Sequence, residues 1–579
     1  MFFFSITEHK ISEKYKLSGV KEFLLGNFWA TVITDNFLFE STQDKKGFFI
    51  YEKPVIKSTK ASKLQTSYIC YKKQYNSIEL YKSALSSSAF YYISTHNKNF
   101  FCSSHINMLR KVGVSIQENT KALPEFFVFR YVSPPLTLFK DIHQLGMESR
   151  LLIQLSHETI KYEQINDFYP PKSYNDKDTV DSIADQILLR LKSLLQNLDV
   201  SRENIAFLLS GGVDSSILFR LFQEFYAIDS TYSTAYPFEA PEMNREKEYS
   251  ISAAKAFGTD HTFLQITEKD YIKGFLEAIL TAEEPINHLQ SVMFFLLFKD
   301  SIPSSKDFVI FGLGADSIFG AIPYKIALRA EKIQKNKILR SASEGILFDS
   351  IKRLSQITRR GHGIVQSLDY SRRHAIPISN PEHFIWKLQA FGSEDWVCKY
   401  YDVNKEDIIQ NLYSTAQKYT DYRPVDLCHI MISSTFGHNT QYIYAKLAEN
   451  FKKNIFCPFR SIDLINYTSS IDWDIKLKPI KIILKTVARK LHMPDFIITR
   501  PKSGFAIRKK GWAERGQLFD ALIPLASKEF EKKEILSLQS RDKKKAMTFW
   551  NILNYSLWKR LVINQEPLEK LLEELNSAL

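Results

Sequence analysis

Two hydrophobic periodicities divide this chain. From its start to about residue 165, short runs rich in Phe, Tyr, Ile and Val recur between polar turns. Examples are Phe28-Trp29-Ala30-Thr31-Val32-Ile33, Gly47-Phe48-Phe49-Ile50-Tyr51, Ala89-Phe90-Tyr91-Tyr92-Ile93 and Leu151-Leu152-Ile153-Gln154-Leu155, and each predicts a strand. Tyr169-Pro170-Pro171-Lys172 predicts a linker. From about Asp178 the spacing turns helical, with Ile183, Ile187, Leu188, Leu191 and Leu194-Leu195 on one face. A buried strand over 205–209 and a helix from Ile217 to Phe225 follow. Next come a strand at 229–235, a helix from Glu246 to Phe257, and strands at 263–266 and 308–311. This alternation predicts a doubly wound parallel sheet, with ligands at the carboxyl ends of its strands. From about Tyr324 to Leu579 the pattern is mostly helical, and Arg359-Arg360-Gly361-His362-Gly363 has the character of a loop. The expected fold class is therefore α/β, with a β-rich sandwich over 1–170 ahead of a parallel-sheet domain over 176–579.

Composition narrows the class. With 44% hydrophobic and 24% charged residues over 579 positions, the chain is globular and long enough for two or three domains. A net charge of +13 is modest for this length and would draw in ATP or another polyanion. It reads chiefly as solvated surface, so no nucleic-acid partner is expected. Cys70, Cys102, Cys398, Cys428 and Cys457 form no Cys-x-x-Cys pair and suit reduced thiols, hence an expected cytoplasmic location. The apolar start, Met1 to Ile6, breaks at Glu8-His9-Lys10 and is too short for a signal peptide. No stretch has the length of a membrane span, and no membrane partner is expected.

The chemistry concentrates at three places. Ser210-Gly211-Gly212-Val213-Asp214-Ser215-Ser216 follows the 205–209 strand and opens a helix. Small residues let the backbone curl about an anion, and the helix N–H groups point at it. Asp214 would repel a bare phosphate, so Mg²⁺ between carboxylate and phosphate is implied. No Lys ends the turn, which excludes the Gly-x-x-x-x-Gly-Lys-[Ser/Thr] loop. The second place, Phe311-Gly312-Leu313-Gly314-Ala315-Asp316, follows another strand. Asp316 would stand opposite Asp214 across the sheet edge, as the second metal carboxylate. The third is Arg500-Pro501-Lys502-Ser503-Gly504-Phe505, where Lys502 would stabilise charge growing on an α-phosphate.

The first turn resembles the PP-loop of ATP pyrophosphatases, and the three places in this order resemble the asparagine synthetase family. Arg130 to Ile142, Glu248 to His261, Glu284-Pro285, Cys457-Pro458-Phe459 and Phe549 to Trp558 extend the resemblance over most of the chain. It implies an amino-terminal glutamine-amidotransferase-like (Ntn-hydrolase-like) domain, then an ATP pyrophosphatase domain. Carried over by position, Ser210, Gly211, Gly212, Asp214, Ser215 and Ser216 would hold pyrophosphate, with Asp214 and Asp316 on Mg²⁺. Leu208, Thr234, Phe311 and Gly312 would bracket the adenosine of ATP, and Lys502 would act at the phosphorus.

Two departures qualify what the resemblance implies. Position 2, where the family's glutaminase has its cysteine nucleophile, is Phe2. The amino-terminal half is therefore expected to lack glutaminase activity and to persist as a structural or docking domain. Leu313 and Ser317 stand where asparagine-forming members carry Glu, which puts asparagine as the product in question. The expected activity is an ATP-dependent carbon–nitrogen ligase that adenylates aspartate or a similar carboxylate, then undergoes aminolysis. Alternatives are a β-lactam or macrolactam synthetase with an internal amine, and a non-catalytic nucleotide-binding descendant. A thiolating pyrophosphatase would want cysteines near the loop, and guanylate synthetase a dimerisation region; neither feature is present. Expected partners are a carboxylate, an amine or ammonia, and a homodimer mate or partner protein docked on the amino-terminal domain.

Overall fold

The computed structural model describes the chain apart from residues 13, 35–38, 45–46, 53–65, 96–97, 157–158, 173–177, 199, 201–203, 236–239, 338–389, 501–516, 541 and 579. Among the described residues the amino-terminal part forms two six-stranded antiparallel sheets. Side chains alternate between faces along a strand. Phe2, Phe4 and Ile6 accordingly point into the space between the sheets, with Ile50, Ile78, Leu80, Leu151 and Ile153 of the second sheet. Phe3 faces the other way and joins the main core with Tyr91, Phe126 and Phe139. The strand Phe2–Thr7 is thus buried on both faces and pairs with Phe28–Thr34 and Asn99–Ser103. It is a central strand, although its sequence marks it only as a short apolar start. The strands expected near 28, 47 and 151 are present as Phe28–Thr34, Gly47–Glu52 and Ser149–Leu155. The one expected at 89–93 begins later, at Tyr91–Thr95.

The second part is built on five parallel strands: β1 (Ile205–Leu208), β2 (Ser230–Thr234), β3 (Asp260–Leu264), β4 (Phe308–Ile310) and β5 (Asn454–Phe456). Their spatial order is β3-β2-β1-β4-β5. All pairs are parallel, and β1 is fully buried, as a run of Ile, Ala, Phe and Leu covered on both faces requires. β5 lies inside the stretch that reads as helical. Three residues are too few for a period to appear, and only pairing with β4 makes them a strand.

Helix α1 (Val180–Gln196) is capped by a reciprocal Thr179–Ser182 box and buries Ile183, Ile187, Leu191, Leu194 and Leu195. Helix α2 (Val213–Phe225) leaves β1 through the glycine turn, and α3 (Ala240–Phe257) starts six residues before the sequence suggests. One contiguous core joins the outer face of the first antiparallel sheet, the helix Leu123–Phe129 and the parallel sheet. The expected linker is docked. Phe168 is buried, and the Tyr422 hydroxyl donates to the Pro170 carbonyl at 2.8 Å.

Candidate active site

The strand order reverses direction between β1 and β4, and ligands bind parallel sheets at the crevice such a reversal opens. Both chemically suggestive turns leave these two strands. After β1 the ladder extends one residue, with Leu209 N–H donating to the Tyr232 carbonyl at 3.0 Å. Gly211 then adopts φ +70°, and a Cβ there would lie 2.4 Å from the Tyr249 carbonyl oxygen. No side chain fits, so glycine is dictated by both conformation and contact. The turn is tied by its own hydroxyls. Gly212 N–H donates to Ser210 Oγ at 3.3 Å, and Ser210 N–H donates to Ser215 Oγ at 3.3 Å. The α2 amino terminus opens from this turn, with Asp214 in its first turn.

After β4, Phe311 N–H donates to the Phe456 carbonyl at 2.9 Å, and the Phe311 ring stacks on Tyr444. At Gly312 a Cβ would meet only ordinary contacts at 3.7 Å, so close packing does not demand this glycine. Gly314 is the constrained one, with φ +102° and Arg460 Cδ 3.0 Å from where its Cβ would be.

The two carboxylates converge, and the residue between them is Lys481. Its Nζ lies 2.7 Å from Asp316 Oδ1 and also contacts Asp214 Oδ2. Burial opposes the ammonium charge, but Asp214 and Asp316 together outweigh it and hold Lys481 well above the ordinary lysine range. Lys481 stands with φ +63° just ahead of the helix Ile482–Lys490. Its position in sequence, 267 residues from Asp214, gives no hint of the pairing.

Asp214 Oδ1 is buried, and among the described residues nothing donates a hydrogen bond to it. A buried carboxylate oxygen with no donor suits a hard divalent cation. Among the described residues no group of three or more His, Cys, Asp or Glu side chains is placed to hold a metal. Asp214 and Asp316 would offer a divalent cation two carboxylates, with the rest of its ligands coming from outside this pair.

A cavity of about 330 Å³ opens at this edge. Leu208, Ser210, Asp214, Ser215, Thr234, Phe311, Gly312 and Asp316 line it; Gly211, Gly212 and Ser216 build the turn behind them. Thr234 is fixed by donating to the Leu264 carbonyl at 2.9 Å. Lys502 lies outside the described residues, as does the Arg359-Arg360 segment. Arg500, two positions before Lys502, is clamped to the turn. It donates to the Ser210 carbonyl at 2.7 Å and to both oxygens of Glu246 at 2.8 and 2.7 Å, and it lies over the Tyr249 ring.

Lys481, His288, Gln290 and Arg460 also reach this site, and sequence reasoning missed all four. Burial, with Arg130 nearby, pushes the His288 imidazole down to about 3. Its Nδ1 faces Gln290 N–H at 3.3 Å, so the neutral ring carries its proton on Nε2. Leu313 and Ser317, the positions where a Glu was expected of asparagine-forming members, line the same cavity.

A parallel sheet with a glycine-rich turn and a convergent carboxylate pair at its reversal point defines an α/β protein with a cleft at the carboxyl edge of its strands. The family model for asparagine synthase matches residues 191–577. The glutamine-hydrolyzing asparagine synthetase 1 of Bacillus subtilis is 20% identical over 432 residues, covering 73% of this chain and 64% of that protein. A putative glutamine-hydrolyzing asparagine synthetase of Mycobacterium tuberculosis is 20% identical over 433 residues, 72% of this chain and 62% of that one. A putative homologue of the same description from Methanocaldococcus jannaschii is 24% identical over 242 residues, 40% of this chain and 44% of that protein. The chain thus spans less than two thirds of the length of these curated relatives. The chain belongs to the asparagine synthase family. No helix among the described residues is long and apolar enough to cross a membrane.

Proposed function

We propose that this protein is an ATP-dependent carbon–nitrogen ligase. It joins a carboxylate to the α-phosphorus of ATP with release of pyrophosphate, then passes the acyl group to a nitrogen nucleophile, leaving an amide and AMP. The observation that carries this reading is the convergence of Asp214 and Asp316 on Lys481 beside the Ser210–Ser216 turn. The turn and the α2 amino terminus receive the β- and γ-phosphates. Lys481 opposes the charge of the departing pyrophosphate. Leu208, Thr234 and Phe311 wall the adenosine. Asp214 and Asp316 would hold Mg²⁺, which when bound neutralises pyrophosphate. Lys502, two positions after the clamped Arg500, has as its proposed task the growing charge on the α-phosphate.

The amino-terminal half is proposed to lack glutaminase activity. Phe2 is fully buried, its ring 4.7 Å from that of Phe90, and it offers no nucleophile. The nitrogen then comes from solution, a partner or the substrate itself. Leu313, apolar and against the cavity, favours an amine that needs no carboxylate to orient it, as in lactam formation. The test is ATP–pyrophosphate exchange dependent on a carboxylic acid. Asp214→Asn should abolish it by removing a metal carboxylate, a loss of several orders of magnitude. ATP binding without exchange on any acid would instead assign the chain to non-catalytic nucleotide binding. Glutamine hydrolysis by the purified protein would overturn the reading of Phe2.

A further inference from the structure

Glu284-Pro285 does not line the cleft but leads into it, because His288 and Gln290 just beyond form part of the cavity wall. The segment from Glu283 to Gln290 is tied along its length. Ile286 N–H donates to Asn554 Oδ1 at 3.1 Å, and Asn554 Nδ2 donates back to the Ile286 carbonyl at 2.6 Å. Asn287 Nδ2 donates to Thr440 Oγ1 at 2.8 Å, and Gln290 Nε2 donates to the Tyr444 hydroxyl at 2.6 Å.

The start of the segment is held from the amino-terminal half. Glu283 ends the helix Glu268–Ala282 at φ +58°, a left-handed conformation that a residue with a side chain adopts only where its surroundings impose it. Its buried carboxylate accepts from the Ile106 and Asn107 N–H groups at 2.8 and 2.9 Å, at the start of the helix Ile106–Lys111. The Glu284 carboxylate is buried too. One of its oxygens accepts from the hydroxyl of Tyr91, on the strand Tyr91–Thr95 of the first antiparallel sheet. The other accepts from the Tyr442 hydroxyl at 2.6 Å, on the helix His438–Glu449. Lys446 of that helix donates to the Ala282 carbonyl at 3.0 Å and to the Tyr91 hydroxyl at 3.1 Å. Burial pushes the Glu284 carboxyl up, while Lys446 and the two tyrosine hydroxyls pull against it. Apolar contact already joins the halves here, and two buried carboxylates add cost to it. What hydrogen bonds supply that apolar contact does not is a fixed direction.

We propose that Tyr91 is a positioning residue for the cleft, its hydroxyl fixing through Glu284 where His288 and Gln290 stand in the wall. The amino-terminal half then has a task in cleft geometry that needs no nucleophile of its own. The inference rests on the cleft itself and goes beyond the ligase reading.

Magnetic resonance of the full chain with isotope-labelled histidine rings tests this without turnover. The chain has 13 histidines, and the His288 signal is identified by its loss in His288→Gln. Tyr91→Phe keeps the ring and removes the hydroxyl. It should raise the population of a displaced His288 by about 10-fold or more, read as a shift or broadening of that signal, with a melting transition close to that of the unaltered chain. Tyr442→Phe removes the other hydroxyl on the same carboxylate and should do the same. Ile93→Ala opens a cavity in the same strand and the same core. It should lower the melting temperature further and leave the His288 signal in place. An unmoved His288 signal in Tyr91→Phe would overturn the proposal. So would an equal shift in Ile93→Ala, which would reduce Tyr91 to packing. If Tyr91→Phe does not fold, Tyr442→Phe set against Ile93→Ala decides whether Glu284 carries the placement, and an unmoved signal there overturns it. Failure of pyrophosphate exchange on every acid, with His288 displaced in Tyr91→Phe, would remove the ligase reading and leave the positioning role. Exchange that proceeds unaltered in Tyr91→Phe, with His288 in place, would do the reverse.

Discussion

At the scale of single residues, the site depends on charges that only the fold brings together. Lys481 holds Asp214 and Asp316 in register while compensating their mutual repulsion. Lys481→Met should therefore lower the rate of carboxylate-dependent pyrophosphate exchange by about 10²–10³-fold, the usual effect of removing one preorganised charge contact. An unchanged rate would exclude Lys481 from the chemistry. The turn from Ser210 to Ser216 was legible in the sequence because its residues are contiguous and each has a local reason. Gly211 must be left-handed, and Ser215 must reach back to Ser210. Asp316 was legible by its position after a strand. Lys481 and Arg460 were not, because a lysine before a helix and an arginine after Pro458-Phe459 look like any surface cation until the sheet places them. Their burial is a tertiary fact.

At the scale of elements, Arg500 is a fastening point for the Ser210–Ser216 turn. Arg500 joins the Ser210 carbonyl to Glu246 on α3, so one guanidinium links three separate stretches of chain. The Arg500–Glu246 pair is mostly buried, with side-chain exposures of 7% and 17%. A double-mutant cycle on Arg500→Ala and Glu246→Gln should return a coupling of about 1.5–3 kcal/mol in thermal stability. Arg500→Ala should also slow the exchange reaction, because the turn and α3 lose their common anchor. Additive single-variant effects would refute the latch. Elements with a long run and a clear period, such as α1, were legible. Phe2–Thr7 and β5 were not. The first is apolar at four of six positions, with three in a row, and so lacks alternation, since both its faces are covered. The second is three residues long and is defined by its neighbour.

At the scale of the whole molecule, the shared core makes titration of its buried groups a stability question. His429 is buried against Trp473 and Tyr324. Burial, aided by Lys476 and Arg460, pushes its imidazole down to about 3. The folded state therefore binds fewer protons than the unfolded state between about pH 6.5 and 3. Its contribution is present above pH 6.5 and is lost as the pH falls through that window, by about 1.4 kcal/mol per pH unit. Melting temperatures of the unaltered chain and of His429→Leu, compared from pH 7.5 to 5, should diverge in slope, with the variant less sensitive to acid. Parallel slopes would place His429 in a solvated environment. Glu125 runs the other way. Burial raises its carboxyl to about 7, so its contribution is intact in acid and is lost as the pH rises through 7.

The amino-terminal strand Phe2–Thr7 serves two cores at once, one on each face. A lineage that ceased to use this half for any reaction would still be unable to discard it, because deletion would strip the floor from under the remaining enzyme. Catalytic obsolescence and architectural necessity can thus coexist in one segment. Drift there should erase nucleophiles freely while sparing the large apolar residues on both faces.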